Sequence, residues 1–121
     1  MERKRLSQVE SYIKQHVSNM IATREISDPR IWDLVITKVK VTRDIQNAKL
    51  YYFISGSQEA KKTVQKVLKN ASGYIRHNLA QSLTTRYTPE LVFYFDEALE
   101  HGNKMHSLLE KVSKELKSSS S

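Results

Sequence analysis

The histidines of this sequence are the first residues to test for acid–base or metal chemistry, because an imidazole can serve in both. His101 and His106 lie five residues apart, while His16 and His77 stand alone. None of these spacings matches a metal-binding motif, so surface histidines are the better interpretation. The chain has no cysteine, which excludes disulfides, thiolate metal sites and a cysteine nucleophile. We therefore expect no metal and no cofactor.

Asp96, Glu97 and Glu100 form an acidic cluster that could suggest carboxylate catalysis. Acids at this spacing also suit the first turn of a helix, where the macrodipole favours negative charge, and we favour that interpretation. No cation stands between Glu90 and these acids in the sequence. This predicts an acidic face that is turned away from phosphates. Because no nucleophile has a recognisable paired base either, the sequence predicts a protein that is not an enzyme.

Positive charge is concentrated between residues 58 and 88, where six cations stand against one acid, Glu59. The cations are Lys61, Lys62, Lys66, Lys69, Arg76 and Arg86. Lys62, Lys66 and Lys69 follow the i, i+4, i+7 pattern, so a helix would align them in a row that could track phosphates. An ordinary solvated helix face would show the same row, and this alternative stays open.

Two other groups of residues could contribute to binding. Arg76 could hold a phosphate in a bidentate way, or it could equally pair with a carboxylate. The N-terminal cluster of Arg3, Lys4 and Arg5 could make a second phosphate contact or remain solvated.

Tyr51 and Phe53 share one face of a predicted strand and could stack on bases. Core packing or partial exposure is the interpretation that we favour for both, because a small sheet covered by helices buries one of its faces.

Length and composition predict one folded domain with a polyanionic partner. The chain has 121 residues, of which 39% are hydrophobic and 27% charged, and its net charge is +7 with a pI of about 9.7. No stretch reaches the roughly 20 apolar residues of a membrane span, and the N-terminus does not resemble a signal peptide. We expect a cytoplasmic protein without a membrane partner or a small-molecule substrate.

The first half of the chain predicts a helix followed by a β-hairpin. Apolar residues recur at helical spacing from Leu6 to Ile21, which predicts a helix. Ser7 and Glu10 would form a capping box at its start, unless the helix starts earlier. Turn residues predict that the helix ends near residues 23–25. Residues 34–41 alternate as a strand, with Val35, Thr37, Val39 and Val41 expected on one face and Leu34, Ile36, Lys38 and Lys40 on the other. Residues 48–54 would pair with it in an antiparallel hairpin.

The second half predicts a helix from Ser57, as its N-cap, to Leu79, in two pieces that meet at a kink at Gly73. Residues 91–95 suit a third strand, which Asp96 follows as a cap. A last helix is expected from about residue 97, more securely from Lys104. The predicted fold class is α+β: a three-stranded sheet with helices on one face, in the order α-β-β-α-kink-α-β with a C-terminal helix.

This order is the layout of the type II KH domain, which binds single-stranded nucleic acid through a GxxG loop. The loop is absent, because Ala71, Ser72 and Gly73 stand at the expected place. A helix interrupted by an Ala-x-Gly kink resembles the ribosome-binding factor A family. Further motifs that resemble this family, in its order, are Asp28-Pro29-Arg30, Val39 to Asp44 with Ala48, Gly73-Tyr74-Ile75-Arg76, and Pro89-Glu90-Leu91 with Phe93 and Asp96.

The resemblance implies a non-catalytic assembly factor that binds the small (30S) ribosomal subunit and assists late maturation and processing of its 16S rRNA, notably in the cold. It implies that Ala71, Ser72 and Gly73 lie in the binding surface with the cations named above. We expect a KH-like domain over residues 1–116, monomeric when free, and a disordered serine-rich tail over 117–121. The alternatives are a generic single-stranded RNA adaptor of KH-like fold and a basic protein-interaction module.

Overall fold

The computed structural model describes residues 2–83, 88–99, 101 and 102, with side chains from residue 5 onwards. It contains helices α1 (Glu2–Ala22) and α2 (Gln58–Ala80), a 3-10 helix (Pro29–Ile31), and strands β1 (Val35–Val41), β2 (Asn47–Phe53) and β3 (Glu90–Phe95). The α+β class and the KH-like order of elements are confirmed. The last helix was predicted from about residue 97, and residues 97–99, 101 and 102 are helical. Its continuation from Lys104, the tail at 117–121 and therefore the domain boundary lie outside the described residues, and they stay predictions.

Helix α1 starts at Glu2, so the alternative of an early start is correct and the capping box is wrong. Ser7 and Glu10 lie inside the helix, where a backbone N–H needs no side-chain cap. Glu10 instead reaches across to the sheet, where its Oε2 accepts a hydrogen bond of 2.9 Å from the backbone N–H of Val41. The acid that was predicted to mark a helix start therefore joins α1 to β1.

The end of α1 lies where the turn residues predicted it. The backbone N–H of Glu25 donates to the carbonyl of Met20, and that of Arg24 donates to the carbonyl of Ile21, which is the Schellman pattern. Arg24 takes the left-handed conformation, with φ of 59°, that usually favours glycine. Its guanidinium lies 4.3 Å from the ring centroid of Trp32, a cation–π contact that holds it there.

The motif Asp28-Pro29-Arg30 forms the 3-10 helix that leads into β1. Asp28 caps this helix by accepting from the backbone N–H of Arg30, and its two oxygens also accept from the Arg30 guanidinium at 2.9 and 2.6 Å. These hydrogen bonds lower the pKa of Asp28 from 3.8 to about 2. The arginine of this motif is therefore occupied by its own turn.

Strands β1 and β2 form the predicted antiparallel hairpin, but the faces of β1 are not those that its alternation predicted. A β-bulge between Ile36 and Lys38 shifts the register, so Ile36 and Val39 are both buried while Val35 is 57% exposed. The extra residue is Thr37, whose hydroxyl donates to a carboxylate oxygen of Asp96 at 2.6 Å. A contact 59 residues away thus stabilises the bulge.

Strand β3 pairs in parallel with β2 and completes a mixed sheet in the order β1-β2-β3. Its alternation matches the prediction, since Leu91 and Phe93 are buried and Val92 and Tyr94 are exposed. Both helices contact the sheet, α1 along β1 and α2 along β3. The core lies between them and one face of the sheet, and its fully buried side chains include Ile13, Leu50, Leu68, Ile75 and Leu79.

Helix α2 begins as predicted, with the Ser57 hydroxyl accepting from the backbone N–H of Ala60 at 3.1 Å. It then runs without interruption through Gly73, so the prediction of two helical pieces is corrected. Gly73 has no positive φ, and a Cβ placed there would meet nothing within 4 Å. Ile75 and Leu79 continue the buried stripe beyond it, and their burial keeps the glycine helical despite its low propensity.

Candidate nucleic-acid interface

The lysine stripe, Lys62, Lys66 and Lys69, lies on the solvent side of α2, as the sequence predicted. All three side chains are exposed, whereas Val64 and Leu68 on the opposite side of the helix are buried. Among the residues that the structure describes, the salt bridge present is Arg30 with Asp28, so the stripe has no ion partner there. Its positive charge is therefore available to an anion from outside the molecule.

Lys61 and Arg76 lie on the flank of α2 that packs against β3. The Lys61 ammonium lies 4.7 Å from the centroid of the Phe95 ring. The Arg76 guanidinium donates two hydrogen bonds, of 3.3 and 2.9 Å, to the carbonyl of Thr88 just before β3. The Arg76 contact is neither the phosphate nor the carboxylate pairing that the sequence suggested for this residue. Both contacts attach α2 to the segment of β3.

Gln65, on the same flank, is a residue that sequence reasoning missed. Its Oε1 accepts from the buried Tyr52 hydroxyl, and its Nε2 donates to the carbonyl of Phe93 at 2.8 Å. Burial raises the pKa of Tyr52 above its usual value. A polar residue between Val64 and Leu68 on a helix was the available signal, but it did not reveal the partner. Gln65 thus sets how α2, with its lysine stripe, lies on the sheet.

Ala71, Ser72 and Gly73 are helical residues and do not form a loop. Ala71 packs against the core, the Ser72 hydroxyl donates to the carbonyl of Lys69 at 2.7 Å, and Gly73 is exposed one turn beyond Lys69. Backbone N–H groups inside a helix are already bonded, so they cannot cradle a phosphate as a GxxG loop does. What this place offers is a patch without a side chain, next to the lysine stripe, where a bulky surface can approach closely.

The remaining predicted cations are only partly described. Arg5 is exposed on the first turns of α1. The side chains of Arg3 and Lys4, and the whole of Arg86, lie outside the described residues. Their roles as contacts stay predictions.

The comparisons with known proteins agree with the resemblance. The family model for ribosome-binding factor A matches residues 5–109. A ribosome-binding factor A from Caldanaerobacter subterraneus subsp. tengcongensis is 42% identical over 104 residues, which are 85% of this chain and 84% of the relative. This chain belongs to the ribosome-binding factor A family.

Solved structures of ribosome-binding factor A share the fold. The crystal structure of the factor from Thermus thermophilus matches with a TM-score of 0.64 at 21% identity, over 74% of this chain and 93% of that one. A homology model of the Thermus thermophilus factor, fitted into the cryo-electron microscopy map of its complex with 30S, matches with a TM-score of 0.61 at 22% identity, again over 74% and 93%. The helices and sheet described above are thus those of ribosome-binding factor A.

Asp96, one of the three acids that could have suggested catalysis, has a structural role in this member of the ribosome-binding factor A family. One Asp96 oxygen accepts from Thr37 and the other accepts from the backbone N–H of Leu99 at 3.0 Å, so Asp96 is the predicted cap. The Thr37 hydrogen bond is the main reason that the pKa of Asp96 is lowered. Within the described residues, no group of three or more histidines and acids could hold a metal ion.

A groove of about 620 Å³ lies beside the 3-10 helix, between the start of α2 and the ends of β1 and β2. Its lining is mainly apolar, and its charged members are Asp33 and Arg30, the latter held by Asp28. Its described lining residues include no histidine and no nucleophile–base pair. No helix in the described ranges is long and apolar enough to cross a membrane.

The face of the sheet opposite the helices is the second basic surface of the molecule. Tyr51 is partly exposed there, as predicted, and Phe53 is partly exposed at the end of the strand. The alternation of β1 predicted that Lys38 and Lys40 share a face with Ile36. Because of the bulge, Ile36 points into the core while both lysines are exposed to solvent. Sequence reasoning also missed Lys49, although its alternation with Ala48 and Leu50 indicated the outer face.

Proposed function

We propose that this protein binds the small (30S) ribosomal subunit through the lysine stripe of α2 and promotes late maturation and processing of its 16S rRNA, including during growth in the cold. It acts as a monomer in the cytoplasm and without catalysis. Family membership supports the ribosomal partner, as does the Thermus thermophilus relative in complex with 30S. The lysine stripe supports RNA as the contacted component.

The observation that carries this proposal is the exposure of three lysines in one row without a described ion partner. Lys62 and Lys69 are seven residues apart, so the stripe extends about 10 Å along the helix axis. Ammonium groups in such a row can meet successive phosphates of folded RNA, and they contribute affinity without reading bases. Gly73 at the end of the stripe lets the RNA surface approach the helix.

The other predicted site residues have supporting roles in this proposal. Arg76 and Lys61 hold α2 against the segment of β3, which fixes the direction of the lysine stripe. Arg86 and the cluster of Arg3, Lys4 and Arg5 are proposed as further phosphate contacts. Ala71 and Ser72 have small side chains and lie next to Gly73 on the helix.

Co-sedimentation with isolated 30S subunits, 50S subunits and 70S ribosomes tests this proposal. The wild-type protein should bind 30S alone, near one to one, with affinity that falls as salt rises. The triple variant Lys62→Gln, Lys66→Gln, Lys69→Gln should bind at least about tenfold more weakly, and its salt slope should fall by about three. The folded state should be unaffected, because the three side chains are exposed.

The control is a variant of the same net charge altered on a different helix. Lys14→Gln, Gln15→Glu and Asn19→Glu change exposed positions of α1 that lie away from the cluster of Arg3, Lys4 and Arg5, and this triple variant also lowers the net charge from +7 to +4. It should bind nearly as well as wild type. Equal loss in both variants would reduce the effect to net charge, and wild-type affinity of the lysine variant would refute the assigned surface. The effect on maturation is measured as the amount of unprocessed 16S rRNA that accumulates at low temperature in cells that carry each variant.

A further inference from the structure

The solvent side of the sheet, which we call the open face, is formed by Lys38, Lys40, Lys49, Tyr51, Val92 and Tyr94. The strand register places these residues in two rows across the three strands. One row is Lys40, Lys49 and Val92, and the next is Lys38, Tyr51 and Tyr94. The face lies on the other side of the sheet from α2, so it is distinct from the lysine stripe.

Positive charge predominates on the open face. Its two rows contain three lysines and no acid, and the exposed Glu90 lies on the same face one row further along, opposite Asn47, so in these three rows three cations stand against one acid. Lys40 and Lys49 lie directly opposite each other, an arrangement that is unfavourable for like charges on paired strands. An anion bound between them would remove this repulsion, so the face complements a polyanion.

Aromatic rings lie beside these charges. The Tyr51 and Tyr94 rings have centroids 5.8 Å apart, and Tyr94 is 44% exposed. The Lys38 ammonium lies 4.5 Å from the Tyr51 ring centroid, which keeps a cation next to the rings. Exposed rings interleaved with lysines on a sheet are the arrangement that binds single-stranded RNA, because bases stack on the rings and phosphates contact the cations.

We propose that the open face is a second RNA-binding surface, which takes a short single-stranded segment. One base stacks on Tyr94, and a second stacks on Tyr51 when the Lys38 ammonium moves to the adjoining phosphate. Lys40 and Lys49 hold the next phosphates along the strand. A duplex does not satisfy this surface, because its bases are already stacked and paired and their faces are inaccessible.

Two surfaces on opposite sides of the sheet let one molecule contact folded RNA with α2 and an unpaired strand with the open face. Simultaneous attachment of this kind raises affinity beyond either contact alone, by the local concentration that the first contact creates. The inference does not depend on 30S binding. It concerns the chemistry of the open face, whichever RNA supplies the strand.

Fluorescence anisotropy with a labelled oligouridylate of roughly ten nucleotides tests the proposal on the full chain. Uridylate is chosen because its bases stack little on one another and are free to stack on protein. The wild-type protein should bind the probe, and Tyr94→Ala should weaken binding about fivefold or more. Tyr94→Phe should bind like wild type, because stacking uses the ring and needs no hydroxyl.

The matched control is Tyr12→Ala, which removes a tyrosine of similar exposure, 38%, from α1. It should leave oligouridylate binding unchanged, and Tyr94→Ala should leave binding of a short RNA duplex unchanged. Circular dichroism and the melting temperature show whether each variant is folded. No binding by the wild type, or equal binding by wild type and Tyr94→Ala, would overturn the inference, as would equal loss in Tyr12→Ala.

Charge variants separate this inference from the proposed function. Replacing Lys38, Lys40 and Lys49 by glutamine gives the same net charge as the triple glutamine variant of the lysine stripe. The first variant should lose oligouridylate binding more strongly, and the second should lose 30S co-sedimentation more strongly. If the lysine stripe alone affects both assays, the open face is not an RNA surface, while the 30S proposal stands. If oligouridylate binding depends on the open face and 30S binding is absent, the open face is an RNA surface and the 30S proposal fails.

Discussion

Helix α2 and the sheet both present three lysines to solvent, but they differ in what lies between the charges. The lysine stripe of α2 has no aromatic residue among its members, whereas the open face places Tyr51 and Tyr94 in a row with Lys38. Ammonium groups alone respond to the spacing of phosphates, which folded RNA fixes. Rings add contact with bases, which only an unpaired strand exposes. The two surfaces carry equal charge, but the difference in aromatic residues predicts two different RNA targets.

The two surfaces also differ in how they are held in place. Strand pairing fixes the open face directly, because its rows follow the register of β1, β2 and β3. The lysine stripe depends on how α2 rests on the sheet, which the buried residues Leu68 and Ile75 and the flank residues Gln65 and Arg76 decide. Changes under α2 should therefore disturb the stripe more than they disturb the open face.

The largest effect should come from breaking the link between α2 and the sheet at Gln65. Gln65→Leu removes hydrogen bonds to Tyr52 and to the carbonyl of Phe93 and leaves both partners without them in a partly buried place. We expect the free energy of unfolding to fall by about 2 kcal/mol. Urea denaturation followed by circular dichroism measures it. At temperatures where the variant is still folded, 30S binding should weaken more than oligouridylate binding.

A double-mutant cycle sharpens this result. Tyr52→Phe removes the hydroxyl that donates to Gln65, so the two substitutions together should cost about 1 kcal/mol less than their sum. Additive losses would mean that Gln65 does not act through Tyr52. Equal weakening of the two RNA contacts in Gln65→Leu would contradict the view that α2 and the open face are held independently.

A smaller effect of opposite sign is expected at Gly73. Its conformation is helical and a Cβ there meets nothing, so Gly73→Ala should raise the free energy of unfolding by about 0.5–1 kcal/mol. If RNA approaches the helix at this place, the same variant should bind 30S more weakly while its oligouridylate binding stays constant. Ser72→Ala is the control for a neighbouring change of similar size. Higher stability with unchanged 30S binding would remove Gly73 from the contact.

Gly73 also shows where sequence reasoning reached its limit. The buried periodicity of α2 and the Ser57 cap are local patterns, and the structure confirms both. The interruption at Gly73 was inferred from the low helix propensity of glycine, but the burial of Ile75 and Leu79 outweighs that local preference. Propensity is decided within a few residues, whereas burial is decided by the whole core.

The open face shows the same limit for the sheet. Strict alternation along β1 gave the wrong faces, because a bulge at Thr37 is held by Asp96 and by the carbonyl of Tyr51, both distant in sequence. The lysine stripe needed only helical spacing and was predicted. The roles of Lys61 and Arg76 depend on the segment of β3 and could not be read from spacing alone.

The smallest expected effect tests the like charges of the open face. Lys49→Glu turns the repulsion with Lys40 across the paired strands into an attraction, so the free energy of unfolding should rise by about 0.5 kcal/mol. Oligouridylate binding should nevertheless weaken, because a cation of the surface is lost and an anion is gained. Lys14→Glu, an exposed change of the same charge on α1, is the control. If both variants weaken oligouridylate binding equally, the loss reflects net charge alone, and Lys49 is not part of an RNA contact.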